Sequence, residues 1–277
     1  MTKNPTRTLL SIAALAALAL SGCAAGADGT GTDSSAAPTE TAPELTGELT
    51  IFAAASLGAA FDELAAEFET LHPEVDVLPI SYDGSSVLAT QLIEGAHADV
   101  FASADEKNMT KVVDADLVTD SPVDFATNVL EIAVAPENPL GIDSLDDLAD
   151  GATTSAGQPA IVVLCAPEVP CGAAARTLIT NDGIMVTPAS EEQNVSAVLT
   201  KVRTGEADAG LVYVTDIEGA SGDVDGIEID GAEAATNVYP IVSLAGSSNA
   251  SASAAFVDFV ASDAGQRVLA SFGFGAP

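Results

Sequence analysis

Apolar positions along the chain fall into short β-rich runs that alternate with stretches of helical spacing. The first pair is Leu49-Thr50-Ile51-Phe52-Ala53, a strand by composition, followed by Phe61, Leu64, Ala65, Phe68 and Leu71, which line one helix face. The alternation continues with strand 75–81, helix 86–94, strand 98–102 and helix 105–115. Such a βαβαβα series favours a mostly parallel sheet with helices packed on it. A second series follows, with strand 129–135, a short helix over 144–149, strand 160–164, helices 172–180 and 195–203, and strand 209–214. Gly and Asp cluster over 219–231, after which 238–244 reads as a strand and 252–260 and 263–271 as helices. The pattern predicts an α/β fold of two lobes, 46–127 plus 237–277 and 128–236, each a mostly parallel sheet flanked by helices. Two extended crossings, near Asn128 and Asn237, would join the lobes and leave a hinged cleft between them.

The N-terminus has a different character. Lys3 and Arg7 precede an apolar run over 9–20, and Leu20-Ser21-Gly22-Cys23 follows, the order of charged, apolar and small-residue regions of an export signal. The run is shorter than the ~20 residues a membrane-spanning helix needs. It therefore predicts a lipoprotein signal over 1–22, with Cys23 as the lipidated first residue of the mature chain. Residues 23–45 are Ala, Gly, Thr, Ser, Pro, Asp and Glu with little to bury, the composition of a flexible tether.

Charge narrows the partners. Removing Lys3 and Arg7 leaves six basic against 41 acidic residues, a formal −35 for the mature chain. Binding to a phosphate backbone needs clustered Lys and Arg, whereas Lys107, Lys111, Arg176, Lys201, Arg203 and Arg267 are scattered among acids, so nucleic acid is not expected as a partner. With Cys23 assigned to lipid, Cys165 and Cys171 remain as a pair in an oxidising compartment, where a disulfide is the expected state. A redox pair is disfavoured because the spacing is not Cys-x-x-Cys, and a metal site because no His is near.

Conventional catalysis has little to work with. His72 precedes Pro73 at a helix end and His97 sits in a turn, both positions of ordinary surface histidines. No Gly-x-Ser-x-Gly elbow occurs, and the chain has no further His to serve a nucleophilic Ser. Zinc or iron ligand spacing is also missing. What recurs is strand, small or hydroxyl residue, helix start: Ala53-Ala54-Ala55-Ser56-Leu57 after the first strand and Tyr82-Asp83-Gly84-Ser85-Ser86 after the second. A Ser there can serve as a plain N-cap. It can also add a hydroxyl donor to free backbone N–H groups and the positive dipole end, which together favour an anion.

At these residues the chain resembles the molybdate-binding proteins of ABC uptake systems, over nearly all of its length after the tether. Ala53-Ala54-Ala55-Ser56-Leu57 resembles that family's first ligand loop and Gly84-Ser85-Ser86-Val87-Leu88-Ala89 its second. Ala98-Asp99-Val100-Phe101-Ala102-Ser103-Ala104-Asp105 resembles the next strand and turn. Pro167-Glu168-Val169-Pro170-Cys171-Gly172 and Asn194-Val195 resemble segments that supply backbone donors from the other lobe, and Gly210-Leu211-Val212-Tyr213 the strand end that supplies a tyrosine hydroxyl.

The resemblance implies the two-lobed fold of type II periplasmic binding proteins and oxyanion contacts from Ser56 and Ser85, from the N–H groups of Cys171 and Val195, and from the Tyr213 hydroxyl. It implies a monomeric substrate-binding lipoprotein with no cofactor, held on the outer face of the cell membrane through lipid on Cys23. Such a protein captures molybdate or tungstate without direct protein–metal ligands and passes it to an ABC permease and its ATPase. A receptor for sulfate or phosphate stays open within the same class, as does a lipid-anchored enzyme or adhesion module on the same fold. An iron receptor is disfavoured because Tyr82, Tyr213 and Tyr239 read as isolated. Two departures from the family pattern stand out. Cys171 replaces a small aliphatic residue, and Asp83 puts a carboxylate beside the second ligand loop, where it is expected to cap the following helix.

Overall fold

The computed structural model describes residues 44–277, so the predicted export signal, the lipidation of Cys23 and nearly all of the tether lie outside the described residues. The first apolar run is split into β1 (Gly47–Leu49) and β2 (Ile51–Ala54). At Thr50 the backbone N–H turns away to the buried carboxylate of Asp99, 2.8 Å distant. Helix α1 (Gly58–Leu71), β3 (Val75–Val77), β4 (Ser81–Asp83), α2 (Ser85–Ile93), β5 (Val100–Ala102), α3 (Glu106–Asp114) and β6 (Val123–Asn128) complete the first passage. The chain then enters a second sheet through β7 (Leu130–Val134), β8 (Val162–Cys165), α4 (Pro170–Asn181), β9 (Ser190–Glu192), α5 (Val195–Arg203), β10 (Ala209–Tyr213), α6 (Val214–Gly219) and β11 (Asp225–Glu228). It returns to the first sheet through β12 (Asn237–Ser243) and ends in α7 (Ala250–Ala261) and α8 (Asp263–Ser271).

The first sheet has the order β4-β2-β5-β12-β6 and the second β11-β7-β10-β8-β9, while β1 and β3 form a separate two-stranded ribbon. Both main sheets are mixed, which corrects the mostly parallel expectation: each has two parallel and two antiparallel pairings. The cause is the crossing between lobes. β12 returns from the second lobe at the end where β2, β4 and β5 finish, and so runs against β5. β7 leaves that same end for the second lobe and runs against β10. The outgoing β6 and the returning β12 pair with each other, with Asn128 opposite Asn237. Asn128 Nδ2 also donates to Thr215 Oγ1 at 2.8 Å, tying the outgoing crossing to α6.

Burial follows this plan. One face of the first sheet packs Phe61, Phe68, Phe125, Tyr239 and Phe256 against α1, α7 and α8, with ring centroids between 5.2 and 6.3 Å apart for four of the pairs. The other face packs Phe52, Leu88, Phe101 and Val112 under α2 and α3. The second sheet has its own core, centred on Ile132, Leu164, Leu178, Val198 and Leu211. Each sheet therefore carries a separate apolar interior, the physical basis of two lobes. Strands β2, β4, β5, β8 and β10 all point their carboxyl ends toward the seam between them, where α/β sheets commonly bind ligands.

Candidate functional site

The carboxyl end of β2 runs into a single 3₁₀ turn, Ala55–Leu57, that carries Ser56. That of β4 leads through Gly84 into α2, with Ser85 as the first helical residue. From the second sheet, Val169 precedes α4, with Pro170 and Cys171 opening the helix, and Asn194 caps α5 ahead of Val195. Tyr213 ends β10. Ser56, Ser85, Cys171, Val195 and Tyr213 all line one cavity of about 10 Å³, together with Asp83, Gly84, Ala104 and Asn194. That space is about what one water-sized probe needs, which suits a small compact solute and excludes a sugar or peptide in this closed arrangement.

Hydrogen-bond donors dominate the lining, with Asp83 as its one charged side chain. The N–H groups in the first turn of a helix have no intrahelical acceptor. Here the first turns of α2, α4 and α5 converge from both sheets, each with the positive end of its dipole toward the cavity. Ser85 is 1% exposed, and its Oγ accepts from the Ala104 N–H at 2.9 Å. The hydroxyl's own proton is thereby left to donate elsewhere. Ser85 is thus a positioned donor and not the N-cap of α2, which is Gly84 without a side-chain cap. The Tyr213 hydroxyl is buried with no hydrogen-bond partner. Such a group is costly to bury empty-handed, and it marks where a ligand acceptor would be most favourable. No Lys, Arg or His lines the cavity.

Ionisable neighbours shape the site from behind. The Ser56 hydroxyl lies 3.0 Å from the Tyr239 hydroxyl, and the Tyr213 and Tyr239 rings meet edge to face with centroids 6.0 Å apart. The tyrosines at 213 and 239 are therefore not isolated, as sequence spacing suggested, because the return of β12 brings them together across the crossing. Burial raises both phenols above their ordinary range, so each remains a neutral donor. Burial also pushes the Asp216 carboxyl up to about 7, opposed only by the Tyr213 N–H that donates to it at 2.9 Å. Asp105, the N-cap of α3 next to Ala104, is likewise raised by burial.

Asp83 does not cap α2. Its Oδ1 accepts the Gly84 N–H at 2.8 Å and, from the other sheet, Asn194 Nδ2 at 2.8 Å. The geometry that prevents capping is local: Asp83 is the last residue of β4 and Gly84 occupies the cap position in extended conformation. Cys165 and Cys171 are joined in a disulfide, as expected, which ties the end of β8 to the first turn of α4. The chain beside that bond packs so closely that a Cβ at Gly172 would lie 2.0 Å from the Ala166 carbonyl oxygen. Sequence reasoning missed Tyr239 and the Ala104 N–H, both of which act by orienting a serine. Only the long-range pairing of β12 and β5 could have revealed the first.

Residues 49–275 match the family model described as bacterial extracellular solute-binding protein. The chain is 40% identical over 269 residues to the molybdate-binding protein ModA of Mycobacterium tuberculosis, covering 97% of this chain and 98% of that protein. Among solved structures, it is similar to the periplasmic molybdate-binding protein of Azotobacter vinelandii at a TM-score of 0.70 and 20% identity, covering 83% of this chain and 99% of the other. It is similar to the sulfate-binding protein SubI of Mycobacterium tuberculosis H37Rv at 0.69 and 17%, covering 82% and 86%. Fold likeness alone thus separates no ligand, since a molybdate and a sulfate binder are equally near.

Proposed function

Since the chain belongs to the bacterial extracellular solute-binding protein family, we propose that it captures molybdate or tungstate in the cavity between its two lobes and delivers it to an ABC permease. The observation that carries this reading is the convergence of hydrogen-bond donors on the cavity. Three helix N-termini, the Ser56 and Ser85 hydroxyls and the unpartnered Tyr213 hydroxyl surround a space lined by no cation. The 40% identity to a molybdate-binding relative, beside 17% to a sulfate-binding one of similar fold, supports the choice among tetrahedral oxyanions. Ser56 and Ser85 would contribute hydroxyl and backbone donors, Cys171 and Val195 backbone N–H groups, and Tyr213 its hydroxyl. About seven hydrogen bonds to a charged acceptor, at roughly 1.5–3 kcal/mol each, give a gross gain of about 10–20 kcal/mol, much of it cancelled by desolvating the dianion.

On this reading the protein is a binder and not an enzyme. The division into lobes at 46–127 plus 237–277 and 128–236 serves closure around the anion. Lipid on Cys23 and the tether over 23–45 would hold a monomer at the outer face of the membrane, within reach of the permease. No helix among the described residues is long and apolar enough to cross a membrane. The second reading is phosphate, favoured by Asp83 in the cavity wall, because a carboxylate there is the one acceptor that could take the proton phosphate keeps near neutral pH. Calorimetric titration with molybdate, tungstate, sulfate and phosphate separates the two. Tight binding of the first two, lost in S56A and S85A, is the expected outcome. Heat from phosphate alone, or from none of the four, would overturn the assignment.

A further inference from the structure

Three side-chain hydrogen bonds among the described residues link the first sheet and its helices to the second sheet and its helices. One, from Asn128 to Thr215, lies at the crossing strands, where it would persist whether the cleft is open or closed. Another, from Asn108 Nδ2 to the Glu168 carbonyl, is long at 3.5 Å. The third, from Asn194 Nδ2 to Asp83 Oδ1, is 2.8 Å, spans 111 positions of sequence and lies in the wall of the anion cavity. Both of its ends are anchored within their own lobes. Asp83 Oδ1 also accepts the Gly84 N–H, and Asn194 Oδ1 accepts the Ala197 N–H at 2.9 Å, fixing the start of α5 and with it the Val195 N–H. The seam beside it is close-packed: a Cβ at Gly84 would lie 2.0 Å from the Gln193 carbonyl oxygen.

We propose that Asp83 and Asn194 form a latch that holds the lobes shut over the bound anion and so sets its residence time. This rests on the reading of the cavity as an oxyanion site. The latch explains a carboxylate where an anion receptor would otherwise be better without one. A charged acceptor makes a stronger bond to the Asn194 amide than a neutral one would. The two donors it receives also draw its charge toward the seam. Because the bond exists only when β4 and α5 are together, its contribution falls on dissociation and not on encounter. Asp83 and Asn194 are positioning residues, since they act by keeping the α5 N-terminus, and thus the Val195 donor, against the first lobe.

The test is release of molybdate from preloaded protein into excess tungstate, followed by rapid filtration and metal analysis. D83A removes the acceptor and is expected to speed release by about 10- to 100-fold, the equivalent of one hydrogen bond to a charged group. N194D keeps the oxygen that caps α5 but sets a second carboxylate against Asp83, and is expected to speed release at least as much. D83N keeps an acceptor oxygen and loses less than D83A. The melting temperature of ligand-free protein is the control that a merely structural role would move. Release from D83A and N194D at the unmodified rate, or a loss matched by an equal fall in ligand-free stability, overturns the latch. If the unmodified protein retains no molybdate, the oxyanion assignment has failed instead. The same variants are then scored with whichever of sulfate or phosphate the unmodified protein retains.

Discussion

Replacing Tyr213 by Phe tests the site with two effects of different size. With the lobes together the hydroxyl is buried with no partner in hydrogen-bond geometry, and the ring is 1% exposed and packed against Tyr239. Without the anion the lobes can part and water can reach the oxygen, so removing it should leave ligand-free stability within about 1 kcal/mol. For a chain of this size that is at most a few degrees in melting temperature. In the loaded protein the same oxygen is expected to donate to the anion. A hydrogen bond to a charged acceptor contributes roughly 1.5–3 kcal/mol, so affinity should fall about 10- to 150-fold. Differential scanning calorimetry of the ligand-free variant and isothermal titration with molybdate measure both quantities. An unchanged dissociation constant, or a melting temperature that drops in proportion to affinity, would refute the reasoning. The first result would mean that the hydroxyl does not face the ligand, and the second that it supports the fold.

Gly84→Ala should fold, because Gly84 has an ordinary φ of −60°, yet its Cβ would meet the Gln193 carbonyl oxygen at 2.0 Å. Overpacking of that kind costs about 1–3 kcal/mol, so molybdate affinity should drop by roughly 5- to 150-fold in titration while ligand-free melting stays put. Reducing the Cys165–Cys171 bond should lower stability by about 2 kcal/mol, read as a fall of about 4–8 °C in melting temperature with dithiothreitol present. Affinity should be flat below about pH 6 and decline by up to tenfold per unit above about 7. Burial pushes the Asp216 carboxyl up to about 7, and a dianion nearby would raise it further, so binding is expected to take up a proton there. Titrations from pH 6 to 8.5 should show this slope and D216N should flatten it. With a net charge of −33, long-range repulsion should slow capture of an anion, so stopped-flow association should quicken as salt is added.

Central elements were legible in sequence because they bury enough apolar surface to leave a pattern. Helix α5 and helix α8 coincide with the spans predicted from periodicity, and β5, β7, β10 and β12 fall within a residue or two of theirs. The strands missed, β6, β9 and β11, are all at sheet edges. β9 reads Ser-Glu-Glu and β11 Asp-Gly-Ile-Glu, with hardly an apolar residue between them. An edge strand is held by backbone pairing on one side and can carry charges freely, so its side chains report little. α6 was missed for a different reason: its six residues are fixed by packing under β10, not by helical spacing. In the site, Ser56, Ser85, Cys171, Val195 and Tyr213 are named by the family resemblance and all line one cavity, and the peptide N–H groups at 171 and 195 could be named in no other way. A peptide N–H leaves no mark in residue identity. Asp83 was flagged correctly as unusual but given the wrong partner, since its true one, Asn194, is 111 positions away.

A cavity with no basic side chain in its lining has a further physical signature. The ion is solvated by dipoles and meets no positive countercharge, so uptake leaves the complex more negative by the charge of the cargo less any proton taken up with it. Loaded and empty molecules should therefore separate by electrophoretic mobility and on anion exchange even where their shapes agree.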